Sequence, residues 1–279
     1  MKTRIITAIL AIVIILVPCF VFLHSFVLPL ILGLFSAIAV YEIINVTGGK
    51  NKVLLALSCL TAAAIPFAFH FNFEIPFMPV AVIYVLAYLI IMVPMHKITK
   101  FNDVVTALFS TVAVPCSLSI FILLRDTYIS YPAKFTKSAG VFLILLAMFC
   151  AWMTDTFAYF TGKFLGKHKL CPNVSPNKTI EGAVGGIIGN MIACSVMFII
   201  FDRFFFTVHT LAIWQIIIIS AILSVISMFG DLSASLIKRN HGIKDFGNIF
   251  PGHGGVMDRI DSCLFVLPAL YVSLYFLVF

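Results

Sequence analysis

Charged residues are scarce in this chain, and no part of it resembles a soluble domain. Asp, Glu, Lys and Arg together make up only 10% of the 279 residues, whereas hydrophobic types make up 62%. Because a soluble domain is about one quarter charged, this composition excludes an ordinary water-soluble globular protein. We therefore expect the lipid bilayer to surround most of the apolar side chains.

Closely paired cysteines are also missing. The seven cysteines form no C-x-x-C pair, and most of them lie within apolar stretches. This spacing argues against a zinc site and against the disulfide framework of a small secreted domain. The cysteines are predicted to be small buried side chains.

Long apolar runs predict nine membrane-spanning helices. A helix needs about 20 apolar residues to cross the hydrocarbon core of a bilayer. The candidate spans lie near residues 5–23, 26–45, 53–70, 78–95, 104–124, 139–160, 180–201, 211–238 and 262–279. The predicted fold class is therefore an all-α polytopic membrane protein, and no internal repeat is visible in the sequence.

Positive charge is distributed unevenly among the predicted loops. With a cytoplasmic N-terminus, fourteen of the 18 Lys and Arg residues fall on the cytoplasmic side and four on the other. The positive-inside rule therefore predicts a cytoplasmic N-terminus, and nine spans then place the C-terminus outside the cell (inner) membrane. Since topology accounts for the formal charge of +7, no nucleic acid partner is expected.

Two features within the spans concern packing. Small residues at helical spacing form one face of the seventh span, a pattern typical of close helix packing, at Gly182, Gly185, Gly186 and Gly189. Glu42, near the cytoplasmic end of the second span, carries a charge that is costly in lipid. It is expected either to pair with Lys50 or to face the protein interior.

A first polar segment begins at Asp155 and ends at the start of the seventh span. Ser175, Lys178 and Thr179 precede the apolar run, and Glu181 lies in its first turn. Backbone N–H groups at a helix start, together with a lysine, can bind a phosphate group. The alternative is a membrane helix that is simply capped by Thr179, and this segment alone leaves both interpretations open.

The second polar segment places carboxylates at helical spacing. Asp231, Ser235 and Lys238 are spaced to share one face of a helix. Asp258 and Asp261 share a face at the start of the last apolar run. Two such carboxylates repel each other unless a cation lies between them, and Mg²⁺ is usually held by one or two carboxylates plus substrate phosphates.

Basic and glycine residues accompany these carboxylates. The cations suit phosphate oxygens and are Lys238, Arg239, Lys244 and Arg259. His253 lies among glycines that would let a ligand approach the backbone closely, although a lone histidine can equally be a loop hydrogen-bonding residue. Acids suited to metal beside cations suited to phosphate are typical of phosphoryl or nucleotidyl transfer. Incidental salt bridges in a basic loop would not explain the paired aspartates.

Residues 235–261 resemble the signature of the phosphatidate cytidylyltransferase family (CDP-diacylglycerol synthase). The stretch is SLIKRNHGIKDFGNIFPGHGGVMDRID, and it fills every constrained position of that signature. Residues 155–186 are similar to the family's other block. Two positions near that block depart from the family, Thr154 where Asn is common and Ile180 where Trp is frequent.

The resemblance implies that CTP and phosphatidate react, with Mg²⁺, to give CDP-diacylglycerol and diphosphate. The catalytic residues would be Asp231, Lys238, Asp258 and Asp261. The metal ligands would be Asp155, Asp231, Asp258 and Asp261. Substrate contacts would come from Ser175, Lys178, Thr179, Glu181, Ser235, Arg239, Lys244, His253 and Arg259.

The positions of these segments predict which part of the chain anchors it and which part carries catalysis. Residues 1–138 are expected to anchor the chain in membrane lipid, and residues 139–279 to carry catalysis at the cytoplasmic face. A transporter is the rival class, but it should show polar residues near mid-membrane and paired repeats. A related nucleotidyl- or phosphotransferase that acts on another lipid phosphate is the second alternative. A homodimer is compatible with the resemblance.

Overall fold

The computed structural model describes residues 23, 25–73, 76–205, 211–250, 252 and 254–277. Most of these residues are helical. The helices are α1 (Val27–Val46), α2 (Lys52–His70), α3 (Phe77–Met92), α4 (Phe101–Arg125), α5 (Thr127–Ser130), α6 (Lys137–Leu165), α7 (Ile180–Phe205), α8 (Ile213–Asn240) and α9 (Met257–Leu277). Two short strands, β1 (Lys169–Cys171) and β2 (Ser175–Thr179), lie between α6 and α7.

The helices confirm the predicted fold class of a helical, multi-pass membrane protein. Within the described residues, seven are long and apolar enough to cross a bilayer, namely α1, α2, α4, α6, α7, α8 and α9. Helix α3 is apolar but has only 16 residues. The first predicted span, residues 5–23, lies almost wholly outside the described residues. The total of nine spans and the orientation of the two termini therefore stay predictions.

The chain divides into two compact units. The first consists of Met1–Ile122 and Asn240–Ile260, and the second of Leu123–Arg239 and Asp261–Phe279. These two units are defined by which residues pack against each other. The boundary predicted near residue 138 instead separates anchoring from catalysis, and it stays a prediction.

Close packing of α6 against α7 explains the small-residue face predicted in the seventh span. A Cβ atom on Gly182 would lie 2.7 Å from the carbonyl oxygen of Ala158, and one on Gly185 would lie 2.4 Å from Thr161 Cγ2. Larger side chains at these positions would therefore push the two helices apart. Small residues let helix backbones approach each other in a membrane, where contact packing replaces the hydrophobic effect.

An antiparallel hairpin precedes α7, and sequence analysis did not predict it. Lys169 pairs with Thr179 and Cys171 pairs with Ser175. The strands are short and largely polar, so they lack the apolar alternation that marks a half-buried strand. The hairpin ends at Thr179, whose Oγ1 accepts the N–H of Gly182 at 3.1 Å. Thr179 therefore caps α7, the alternative that the sequence left open beside phosphate binding, and phosphate binding by this segment stays a prediction.

Candidate active site

Three carboxylates from three helices lie within electrostatic range of each other in the second unit. The charge of Asp231 in α8 acts on both Asp155 in α6 and Asp261 in α9, and Asp155 also acts on Asp261. Such a cluster is unfavourable in a medium of low dielectric unless cations offset it. Two lysines supply that charge, because Lys178 acts on Asp155 and Lys238 acts on Asp261.

The central contact of this cluster is the ion pair between Lys178 Nζ and Asp231 Oδ2. The two side chains retain only 24% and 28% of their exposure, respectively. Lys178 is held at the end of β2 by the hairpin and by the cap at Thr179, whereas Asp231 lies within α8. The ion pair therefore joins the first polar segment of the sequence to the second.

The three residues predicted to share a face all lie within α8, which is uninterrupted. Asp231 and Ser235 are half-buried and Lys238 is buried, all within Ile213–Asn240. The i, i+4, i+7 spacing therefore orients these three side chains alike. Arg239 follows at the end of the helix and is exposed.

The donor atoms of the cluster fit a hard divalent cation. Among the described residues, no group of three or more His, Cys, Asp or Glu side chains stands already arranged to hold a metal ion. Mg²⁺ does not require such a cage, since one or two carboxylates and the phosphates of a substrate usually complete its coordination. Asp155, Asp231 and Asp261 supply the carboxylate oxygens that such an ion prefers.

Asp258 lies in the first unit and holds the glycine-rich loop that precedes α9. Its Oδ2 accepts the N–H of Phe246 at 2.8 Å and the N–H of Gly255 at 3.0 Å. Gly254 adopts a φ of +86°, and a Cβ atom there would lie 2.8 Å from the same oxygen. This left-handed backbone favours glycine at position 254 independently of any ligand, and the nearby carboxylate adds to that preference.

Glu42 is a second buried carboxylate at this loop, and no site role was predicted for it. It is 3% exposed, and it accepts the N–H groups of Val256 and Met257 at 3.0 and 2.8 Å. Of the two expectations for Glu42, the protein interior is correct, whereas Lys50 is exposed. An acidic residue inside an apolar run was the signal in the sequence, but nothing in the sequence identified its partners.

Glu181 connects α7 to the turn before the hairpin. Its carboxylate accepts the backbone N–H groups of Lys167 and His168 at 3.0 and 3.1 Å, and it lies 2.6 Å from His168 Nδ1. These bonds fix the start of the hairpin that carries Lys178. A direct contact of Glu181 with substrate stays a prediction.

The remaining predicted substrate contacts are spread over both units. Lys244 and Arg259 are exposed in the first unit, and Ser175 is half-buried in β2 of the second. His253 lies outside the described residues. Exposed Lys and Arg side chains suit phosphate oxygens, but the contacts of these residues with substrate stay predictions.

A buried polar network joins α6, α7 and α8 inside the second unit. Asn190 Nδ2 donates to Ser224 Oγ at 2.8 Å and to the carbonyl oxygen of Ser220 at 3.2 Å. Thr154 Oγ1 also donates to Ser224 Oγ, at 3.1 Å. Thr154 directly precedes Asp155, and Ser224 lies two helical turns before Asp231. The network therefore fixes two of the helices that carry the carboxylate cluster.

Replacing Asn190 with Leu is expected to lower the stability of the protein in detergent by about 1 kcal/mol. Leucine has a similar volume but cannot bridge α7 to α8, and an interhelical hydrogen bond in a membrane protein is worth about that amount. Thermal unfolding measures the effect. Ser195→Ala is the matched control, because Ser195 donates only within α7, to the carbonyl oxygen of Met191 at 2.7 Å. Equal unfolding temperatures for the two variants would contradict the prediction.

Comparison with known proteins identifies the family to which this chain belongs. The chain resembles the phosphatidate cytidylyltransferase of Staphylococcus saprophyticus, with 49% identity over 139 residues that cover 50% of this chain and 51% of that protein. The enzyme of the same name from Staphylococcus aureus strain COL is 43% identical over 157 residues, covering 55% of this chain and 58% of that protein. The chain thus spans about half the length of the curated relatives it matches. A sequence model of the cytidylyltransferase family matches residues 2–277, so the chain belongs to the cytidylyltransferase family.

Proposed function

We propose that this protein is a phosphatidate cytidylyltransferase, which converts CTP and phosphatidate to CDP-diacylglycerol and diphosphate. The observation that carries the proposal is the Lys178–Asp231 ion pair within the cluster of Asp155, Asp261 and Lys238. It brings acids suited to metal and cations suited to phosphate together from both polar segments. The names of the relatives support CTP and phosphatidate as substrates.

The carboxylates are the proposed ligands of Mg²⁺. Asp155, Asp231 and Asp261 would hold the ion, and the family resemblance adds Asp258 to this set. When bound, Mg²⁺ supplies charge neutralisation to the phosphates of CTP. Lys178 would also bind substrate. Its ammonium group can move from Asp231 to a phosphate oxygen once another cation offsets the carboxylate.

The chemical step needs little from the protein beyond positioning. A phosphate oxygen of phosphatidate forms a bond to the α-phosphorus of CTP, and the bond from that phosphorus to the bridging oxygen of diphosphate breaks. The attacking oxygen is already anionic near neutral pH, so no general base is required. Lys178 and Lys238 lower the repulsion between two anionic substrates, which is the main electrostatic barrier to their approach.

Further residues would complete substrate binding. Contacts with the CTP phosphates and the lipid headgroup are proposed for Ser175, Thr179, Glu181, Ser235, Arg239, Lys244, His253 and Arg259. In this proposal residues 139–279 carry the chemistry at the cytoplasmic face of the cell (inner) membrane, and residues 1–138 anchor the chain. The acyl chains of phosphatidate would remain in the bilayer, and a homodimer is compatible with this arrangement.

The full chain, purified in detergent, is expected to form a CDP-lipid from labelled CTP and phosphatidate in the presence of Mg²⁺. Thin-layer chromatography of the lipid phase measures the product. Parallel reactions with a polyprenyl phosphate distinguish phosphatidate from another lipid phosphate. Absence of CDP-diacylglycerol, or a faster reaction with polyprenyl phosphate, would overturn the proposed substrate.

A further inference from the structure

Glu42 binds backbone that lies far away in the sequence. Its Oε1 accepts the N–H of Val256 and its Oε2 accepts the N–H of Met257, at sequence separations of 214 and 215 residues. Both partners belong to the same compact unit as Glu42. A carboxylate removed from water is retained at such a place only when strong hydrogen bonds replace its hydration.

The two amides are the start of α9, which begins at Met257. The first N–H groups of a helix have no partner within the helix, and the partial positive charge there favours a carboxylate. The residue before this helix is Val256, whose side chain has no acceptor atom. Helix α9 therefore lacks the usual cap from its own N-terminal neighbour, and Glu42 in α1 performs that task.

Glu42 and Asp258 together accept hydrogen bonds from three consecutive backbone amides. Gly255 donates to Asp258, whereas Val256 and Met257 donate to Glu42. If the carboxylate of Glu42 were absent, the amides of Val256 and Met257 would be left without their acceptor beside Asp258. They would compete for the Asp258 carboxylate, which the proposed function assigns to the metal.

Two glycines make room for Glu42. A Cβ atom on Gly247 or on Gly255 would lie 2.3 Å from Glu42 Oε1. Real Cβ atoms do not approach an oxygen so closely, so a larger residue at either position would displace the Glu42 carboxylate from the two amides that it binds. The loop and Glu42 are therefore fitted to each other sterically as well as by hydrogen bonds.

We propose that Glu42 is a positioning residue for nucleotidyl transfer, which caps α9 from α1 and thereby keeps Asp258 in the orientation the reaction needs. This inference rests on the proposed function. Residues that orient a metal ligand typically contribute 10- to 100-fold to metal affinity or activity. The same range is expected here.

Glu42→Gln tests the inference with almost no change in volume, since the amide group presents a donor where an acceptor is needed. The expected result is a kcat about 10- to 100-fold lower and a higher Mg²⁺ concentration at half-maximal rate. Asp103→Asn is the matched control, because Asp103 accepts the N–H of Lys100 at the start of α4 in the same unit. If Glu42→Gln keeps the Mg²⁺ dependence and turnover of Asp103→Asn, the inference is wrong.

A double-mutant cycle tests the steric part. Gly255→Ala is expected to lower activity strongly, and Glu42→Asp withdraws the carboxylate by one methylene group. The double variant is therefore expected to be more active than Gly255→Ala alone. Strictly additive losses would contradict the fit between the two residues.

Hydrogen exchange separates this inference from the proposed function. In metal-free protein, the amides of residues 255–257 are expected to exchange faster in Glu42→Gln than in wild type. If wild type forms no CDP-lipid but exchange is faster in the variant, the proposed function fails and the cap at α9 stands. Unchanged exchange overturns the role of Glu42 whatever the activity of the wild type.

Discussion

Replacing Asp231 with Asn is expected to lower kcat for CDP-lipid formation by about 10²- to 10³-fold, the usual cost of removing one preorganised charged or polar group from an active site. Asp231 forms the ion pair with Lys178 and acts electrostatically on both Asp155 and Asp261. Asparagine preserves the shape of the side chain but removes its charge. In the proposed site, the carboxylate cluster would then lack its central metal ligand.

The stability of Asp231→Asn separates a catalytic role from a structural one. The substitution removes one attraction, to Lys178, together with the repulsions from Asp155 and Asp261, so the unfolding temperature is expected to change little. Asp202→Asn, near the C-terminal end of α7, is the matched control and should retain wild-type activity. Substantial activity of Asp231→Asn at saturating CTP and Mg²⁺ would remove Asp231 from the proposed metal site.

Replacing Lys178 with Met is the second substitution for which we expect a large effect. The variant should show a KM for CTP raised about tenfold or more and a kcat lowered about 10²-fold, since the ammonium group proposed to stabilise developing phosphate charge is lost. The methylene stem is largely preserved, so packing of the hairpin against its surroundings should persist. Steady-state kinetics at varied CTP concentrations measures both constants.

The double variant Lys178→Met/Asp231→Asn distinguishes a shared function from two separate ones. Residues that act as a unit show strongly non-additive losses, so the double variant is expected to be scarcely worse than the poorer single variant. Lys163→Met, at an exposed lysine near the end of α6, controls for a general loss of positive charge. A similar loss of activity in Lys163→Met would show that surface charge, and not the ion pair, matters.

Several elements of the site could be predicted from local sequence because their physics is local. Helical spacing alone predicts that Asp231, Ser235 and Lys238 point the same way on α8. A hydroxyl directly before an apolar run allows a cap at Thr179 as one of two interpretations. The glycine face of α7 follows in the same way, since repeated small residues allow close helix packing.

Other elements could not be predicted, because their partners are distant in sequence. Lys178 resembled a phosphate ligand at a helix start, but its contact with Asp231 depends on how the hairpin and α8 pack within one unit. From the sequence, Glu42 is recognisable only as a carboxylate inside an apolar run. The hairpin itself escaped prediction since its few polar residues carry no periodic pattern.

By itself, the sequence determined that this chain spans a membrane many times and carries acids beside cations in two segments, because composition and helical periodicity are properties of neighbouring residues. Only the tertiary structure decided which charges meet. Asp231 pairs with Lys178, and Glu42 caps α9. The reason is that a buried carboxylate is stable only beside a cation or a hydrogen-bond donor. That partner can belong to any segment that packs against it, however distant in the sequence.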